Sequence, residues 1–147
     1  MDTESNRRAA AEENLAAVSH QTSHTFSLEG PGPDLLLSKS LAALVRHAEQ
    51  VHPESLVSIM LLDETGEHLL LGASPSLPDA FDQAVGGSAV GPDAGPCGTA
   101  AFGNCLVVVE DIQSDPLWTN VKPLAEEIGV RACWSQPIRG MAGRVLG

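Results

Sequence analysis

The stretch from Gly91 to Ile138 constrains this chain more than any other. It reads GPDAGPCGTAAFGNCLVVVEDIQSDPLWTNVKPLAEEIGVRACWSQPI. A Gly/Pro-rich loop leads into a small-residue helix start at Cys97 to Thr99. A β-branched strand, Leu106 to Val109, follows, then a helical segment and a second strand, Arg131 to Ile138. That order suits a pocket walled by loops on an α/β scaffold. Gly95-Pro96 interrupts whatever precedes it, so Cys97 to Thr99 can open a helix with free N–H groups. Asp111 and Asp115-Pro116 punctuate the exit from the strand.

Within that second half, Leu117 to Ile128 reads as helix, with Pro123 forcing a kink or a division into two short helices. Gly129 is a natural stop. Gly140 to Gly143 turns the last strand back, and Arg144 to Gly147 reads as the opening of another.

The first half divides at Gly30-Pro31-Gly32-Pro33, the clearest break in the chain. Before it, Asn6 to Val18 is rich in good helix formers, and Ser19 to Ser27 reads as polar loop. This gives an N-terminal helical or linker segment, residues 1–33, and a domain over 34–147. Asp34 can cap a helix to Val51, with Leu37, Leu41, Leu44, Val45, Ala48 and Val51 on its apolar face. Leu56 to Leu62 is nearly all apolar, as expected of a strand covered on both faces. Asp63 to Gly66 turns it into a return strand, His68 to Gly72. A short helix from Pro78-Asp79 to about Val85 is stopped by Gly86-Gly87.

Composition narrows the function classes. The 147 residues hold 43% hydrophobic residues, enough for one packed core, and no apolar run of membrane-spanning length. The start has acids beside its arginines and no signal-peptide core, so the expectation is a cytoplasmic protein off the membrane. A net charge of −11 with only eight scattered Lys and Arg opposes nucleic-acid binding. The three cysteines, Cys97, Cys105 and Cys133, form no CxxC pair and have no His at ligand spacing, so neither a disulfide scaffold nor a metal site is expected. GPDAGPCG lacks the Lys and Ser/Thr of a phosphate-cradling loop, and no Ser-His-Asp arrangement is evident. Asp111 and Asp115 read as turn and capping residues. Cys97 is the one residue whose position, at a helix start, favours a thiolate; the alternative is a small buried hydrophobe.

The ordered runs SIMLLDETGEHLLLGASPSLPDAF, GPCGTAAF, VVVEDIQSDPLW and RACWSQPIRGMAGRVLG resemble a GAF domain, specifically those of bacterial sensory proteins. The resemblance covers Leu35 to Gly147. It implies an α/β (α+β) fold with a central antiparallel sheet of five or six strands, flanked by helices, and a ligand pocket between sheet and loops. The implied pocket residues are Met60, Ala73, Phe81, Cys97, Thr99, Trp118, Cys133 and Trp134. The implied role is a regulatory small-molecule-binding or dimerisation sensor module without catalytic activity of its own. Its partners would be an unidentified small molecule, a second copy paired through the helix Leu35–Val51, and an effector such as a histidine kinase or diguanylate cyclase, as in two-component or cyclic-di-GMP signalling. No particular cofactor is implied. Family members continue past GRVLG with further strand residues and a helix, so the resemblance implies an incomplete last strand and a missing C-terminal helix.

A second resemblance, to the GAF-type free methionine-(R)-sulfoxide reductases, rests on Pro96-Cys97-Gly98-Thr99-Ala100 with Cys105 and Cys133 downstream. It stops at VRACWS, where those enzymes carry a different segment, and at Gln136, where they carry an acid. A bilin site would want a Cys beside a His, and the chain has none.

Overall fold

The computed structural model describes residues 35–147; the expectations for Asn6 to Ser27 and the Asp34 cap lie outside them. Helix α1, Leu35–Val51, opens the described chain. It ends where expected: His52 still bonds back to the Ala48 carbonyl, but Pro53 has no N–H to continue. Only part of the expected apolar face is buried. Leu41 and Val45 pack under the helix against Ala73, Ile59 and Leu61, whereas Leu37, Leu44 and Val51 stay 43–59% exposed.

Strands β1 (Ile59–Leu62) and β2 (His68–Ala73) form the expected hairpin, with β3 (Ser88–Ala89) on the far edge of β2. The β1 strand is shorter than Leu56–Leu62 because the Val57 N–H bonds to the Glu49 side chain at 3.0 Å instead of to a strand. The turn is held by Asp63, whose Oδ1 accepts from Thr65 Oγ1 and from the Glu67 N–H. Alternation on β1 accounts for its apolar run. Ile59 and Leu61 face α1, while Met60 faces Leu69 and Ala101 on the other side.

Helix α2 (Asp79–Val85) follows the β2 exit loop, and helix α3 (Gly95–Gly103) starts two residues before the expected opening at Cys97. Pro96 in its first turn lacks an N–H that would have been unsatisfied anyway. Gly98 lets α3 lie against β3, because a Cβ there would collide with the Ala89 carbonyl oxygen.

Strand β4 is Val107–Val109. The segment expected as one helix with a break at Pro123 is a 3₁₀ turn, Pro116–Trp118, and then helix α4, Lys122–Ile128. Pro123 sits in the first turn of α4, and Gly129 ends it at φ +78°. Strand β5, Cys133–Ser135, pairs antiparallel with β4 in the register Val107–Ser135, Val108–Trp134, Val109–Cys133. It is shorter than Arg131–Ile138 because Pro137 cannot donate to a ladder.

The two sheets are stitched together by the last residues. Leu146 accepts from the Leu62 N–H at 2.9 Å and donates to the Ile138 carbonyl at 2.8 Å; Ile138 in turn donates to Gly147. Arg139 and Val145 form an antiparallel bridge. Arg144 to Gly147, expected to open another strand, thus lies along the free edge of β1 but forms only an isolated bridge, at Val145. The arrangement is a mixed α/β fold with antiparallel sheets. Helix α1 lies on one face, and α2 and α3 lie on the other.

Candidate functional site

The expected pocket residues divide between the two faces. Met60 belongs to the cluster with Leu69 and Ala101, which Cys97 and Val85 border. Trp118 belongs to the cluster of Val109, Ile112 and Ala125, bordered by Phe81 and Cys133. These two clusters meet where α3 crosses β5. There Cys97 Sγ and Ser135 Oγ share a hydrogen bond of 3.1 Å, and Trp118 Nε1–H donates to Cys133 Sγ at 3.2 Å. Three of the eight expected residues, Cys97, Trp118 and Cys133, therefore lie at this seam, while Met60 belongs to the first cluster and Phe81 packs against the second. Thr99 is a near neighbour on α3, but its hydroxyl is turned to the Pro92 carbonyl at 3.1 Å, fastening the loop before the helix.

Two residues do not join them. Ala73 packs under α1 against Leu41 and Val45, because the irregular register at Ile59/Met60 pairs it with Ile59 on the α1 side. Trp134 is 71% exposed. Strand alternation turns it away from Cys133 and Ser135, so it cannot roof a cavity with Cys97.

The thiols are not activated. Burial pushes Cys97 above its ordinary pKa of 9.0, and the bond to Ser135 only partly offsets this. Burial also raises Cys133, helped by the nearby Cys97 and Asp115, against a lowering by the Trp118 N–H. Helix α3 starts early enough to carry Cys97 into its packed side, so the exposed, thiolate-favouring helix end expected from sequence is not formed. Both thiols are protonated at neutral pH, and Cys97 behaves as the small buried hydrophobe of the alternative reading.

Sequence reasoning missed Ser135, although its spacing of two from Cys133 on one strand already places both on one face. It also missed the β2 exit loop as a connector. Ser74 Oγ–H donates to Asp82 of α2 at 2.6 Å, and Ser76 Oγ–H donates to Glu49 of α1 at 2.6 Å. Asp115 plays the capping role expected of it, accepting from the Leu117 N–H at 2.8 Å. A separate surface groove of about 290 Å³ is lined by Gln113, Glu126, Gly129, Val130 and Arg131 and holds none of the expected residues. Among the described residues, no three His, Cys, Asp or Glu side chains converge as metal ligands would. None of the described helices is long and apolar enough to cross a membrane.

Antiparallel strands between a single long helix and a pair of short ones, with a seam of two thiols and a hydroxyl beneath the short pair, define a small mixed α/β domain. The chain belongs to the GAF domain family, whose profile matches residues 37–147. It is similar to the methyl sulfide methyltransferase-associated sensor of Methanosarcina acetivorans, with 38% identity over 111 residues. That stretch is 76% of this chain and 11% of the relative, so the chain spans about a tenth of the length of the protein it matches.

Proposed function

We propose that this chain is the sensory, regulatory module of a signal-transduction protein, located in the cytoplasm, and that it binds a small molecule at the seam around Cys97, Ser135, Cys133 and Trp118. The observation that carries this reading is the meeting of two separate apolar clusters at one hydroxyl and two thiols. The seam offers an apolar lining with few polar anchors, as small-molecule sites do. Membership of the GAF family and a relative named as a sensor support it.

The output runs through the β2 exit loop. Phe81 on α2 packs against the Trp118 cluster, Asp82 beside it holds Ser74, and Ser76 two residues on holds Glu49 of α1. A ligand that displaces α2 is thereby felt by α1, provided it binds one arrangement better than the other. Two copies pair through α1, and an effector such as a histidine kinase or diguanylate cyclase, elsewhere in the chain or on a neighbour, reads the change.

The test is native mass spectrometry after exposure to a cell extract, with thermal-shift screening of small metabolites. A stabilising ligand is expected, and its effect should weaken in Cys97→Leu, which fills the seam. Absence of any bound or stabilising molecule would overturn the ligand reading. The reductase alternative needs an ionisable thiol, and burial opposes that at both Cys97 and Cys133. Turnover of free methionine sulfoxide with a thiol reductant, lost in Cys133→Ser, would reinstate it.

A further inference from the structure

The groove of about 290 Å³ lined by Gln113, Glu126, Gly129, Val130 and Arg131 is built by the backbone. The Ile112 N–H donates to the Arg131 carbonyl at 2.8 Å, which sets Gln113 beside the approach to β5. The Val130 N–H donates to the Ala125 carbonyl at 3.0 Å and the Gly129 N–H to the Glu126 carbonyl at 3.2 Å, closing the end of α4. Lys122 Nζ donates to the Gln113 carbonyl at 2.7 Å and ties the two walls together. Behind these bonds Ile112 and Ala125 are fully buried in the Trp118 cluster, and Val130 packs against it. Gly129 leaves the end of α4 bare, since a Cβ there would meet no atom within 4 Å. The walls of the groove are therefore anchored in the core.

The lining carries one charge of each sign. Among the described residues, neither the Glu126 nor the Arg131 side chain makes an ion pair or hydrogen bond, with the other or with any neighbour. We infer that this groove binds a free α-amino acid, with its carboxylate on the Arg131 guanidinium, its ammonium on the Glu126 carboxylate and its side chain on Val130. The paired charges select the class. A lone anion on Arg131 would face Glu126 and the field of a chain of net charge −11. A lone cation on Glu126 would face Arg131. A zwitterion meets both and brings no net charge of its own. The guanidinium fork suits a carboxylate through two parallel bonds, and the Gln113 amide adds a donor beside it. The volume falls at the lower end of the ~300–1,000 Å³ of small-molecule sites, which suits an amino acid with a short aliphatic side chain better than a nucleotide. This site is separate from the seam and does not rest on the seam's having a ligand.

The experiment is calorimetric titration of the full chain with the standard α-amino acids, with isobutylamine and isovalerate as the single-charge counterparts of L-valine. L-valine or another aliphatic member is expected to bind with a Kd of about 1 mM or below. Each single-charge counterpart should bind about tenfold more weakly or worse, having lost one charged contact. Glu126 and Arg131 are exposed, so Glu126→Gln and Arg131→Gln should keep the wild-type circular dichroism and Tm. Each should weaken the amino acid about tenfold, while Cys97→Leu in the seam should leave its binding unchanged. The inference fails if no amino acid binds, if either single-charge compound binds as well as L-valine, or if both groove variants bind as the wild type does. If Cys97→Leu alone abolishes binding, the amino acid belongs to the seam; this inference then fails while the proposed function stands.

Discussion

Helix propensity and packing give opposite signs for Gly98→Ala. In an exposed helix interior that change stabilises by about 1 kcal/mol, because glycine loses more backbone freedom on folding. In α3 the added methyl would meet the Ala89 carbonyl oxygen and, at 2.7 Å, the Ala94 side chain. The carbonyl belongs to backbone of β3, which pairs with β2 and cannot rotate aside like a side chain. Relief requires α3 to lift from the sheet, a rearrangement of the overpacking kind that costs about 1–3 kcal/mol and sometimes more. With the upper part of that range set against the propensity gain, the net loss is about 2 kcal/mol. For a domain of this size that lowers Tm by about 7 °C. The assay is thermal unfolding by circular dichroism at neutral pH. Gly129→Ala serves as the control, since its φ is +78° but nothing lies within 4 Å of the added carbon; it should lose about 1–2 kcal/mol from backbone strain alone. A Tm for Gly98→Ala at or above wild type would refute the close approach of α3 to β3, and with it the placement of Cys97 against Ser135.

The remaining expectations concern the core, the turn and the thiols. Ile112 is fully buried, so Ile112→Ala should cost about 3–4 kcal/mol in denaturant unfolding, and a loss under 1 kcal/mol would mean the Trp118 cluster is not packed as described. Partial desolvation would raise the Asp63 carboxyl, but bonds from Thr65, His68 and Glu67 outweigh it and bring the pKa from 3.8 down to about 2. Its stabilisation is therefore complete above pH 4 and lost as pH falls towards 2; Asp63→Asn should flatten stability between those values, and an unchanged acid limb would count against the network. Cys97 and Cys133 have raised pKa values in the fold, so their contribution is intact below the unfolded value of 9.0 and declines as pH rises above it. A disulfide reagent at pH 8 should label exposed Cys105 at once and the other two only on unfolding; equal rates at all three would show that the seam is open.

Much of the local structure was legible because it depends on neighbours in sequence. Pro53, Gly86-Gly87, Pro123 and Gly129 end or divide elements by lacking an N–H or by tolerating a left-handed turn, and those effects act within a few residues. The doubly apolar β1 announced cover on both faces. The boundaries that moved did so through distant partners. Glu49 took the Val57 N–H and shortened β1, and Leu62 and Ile138 gave the final residues an edge on either side.

The candidate site divides in the same way. Of the residues that the family motifs pointed to, Cys97, Trp118 and Cys133 meet at one seam, since strand and helix periodicity select a face. Periodicity says which residues share a face, not which layer that face meets. Hence Ala73 went under α1 through a local shift in register, and Trp134 went to the bare side of β5. The acidity of a cysteine was likewise beyond the sequence, because a thiol's pKa follows from the solvent and dipoles around it, and those come from chain segments tens of residues away.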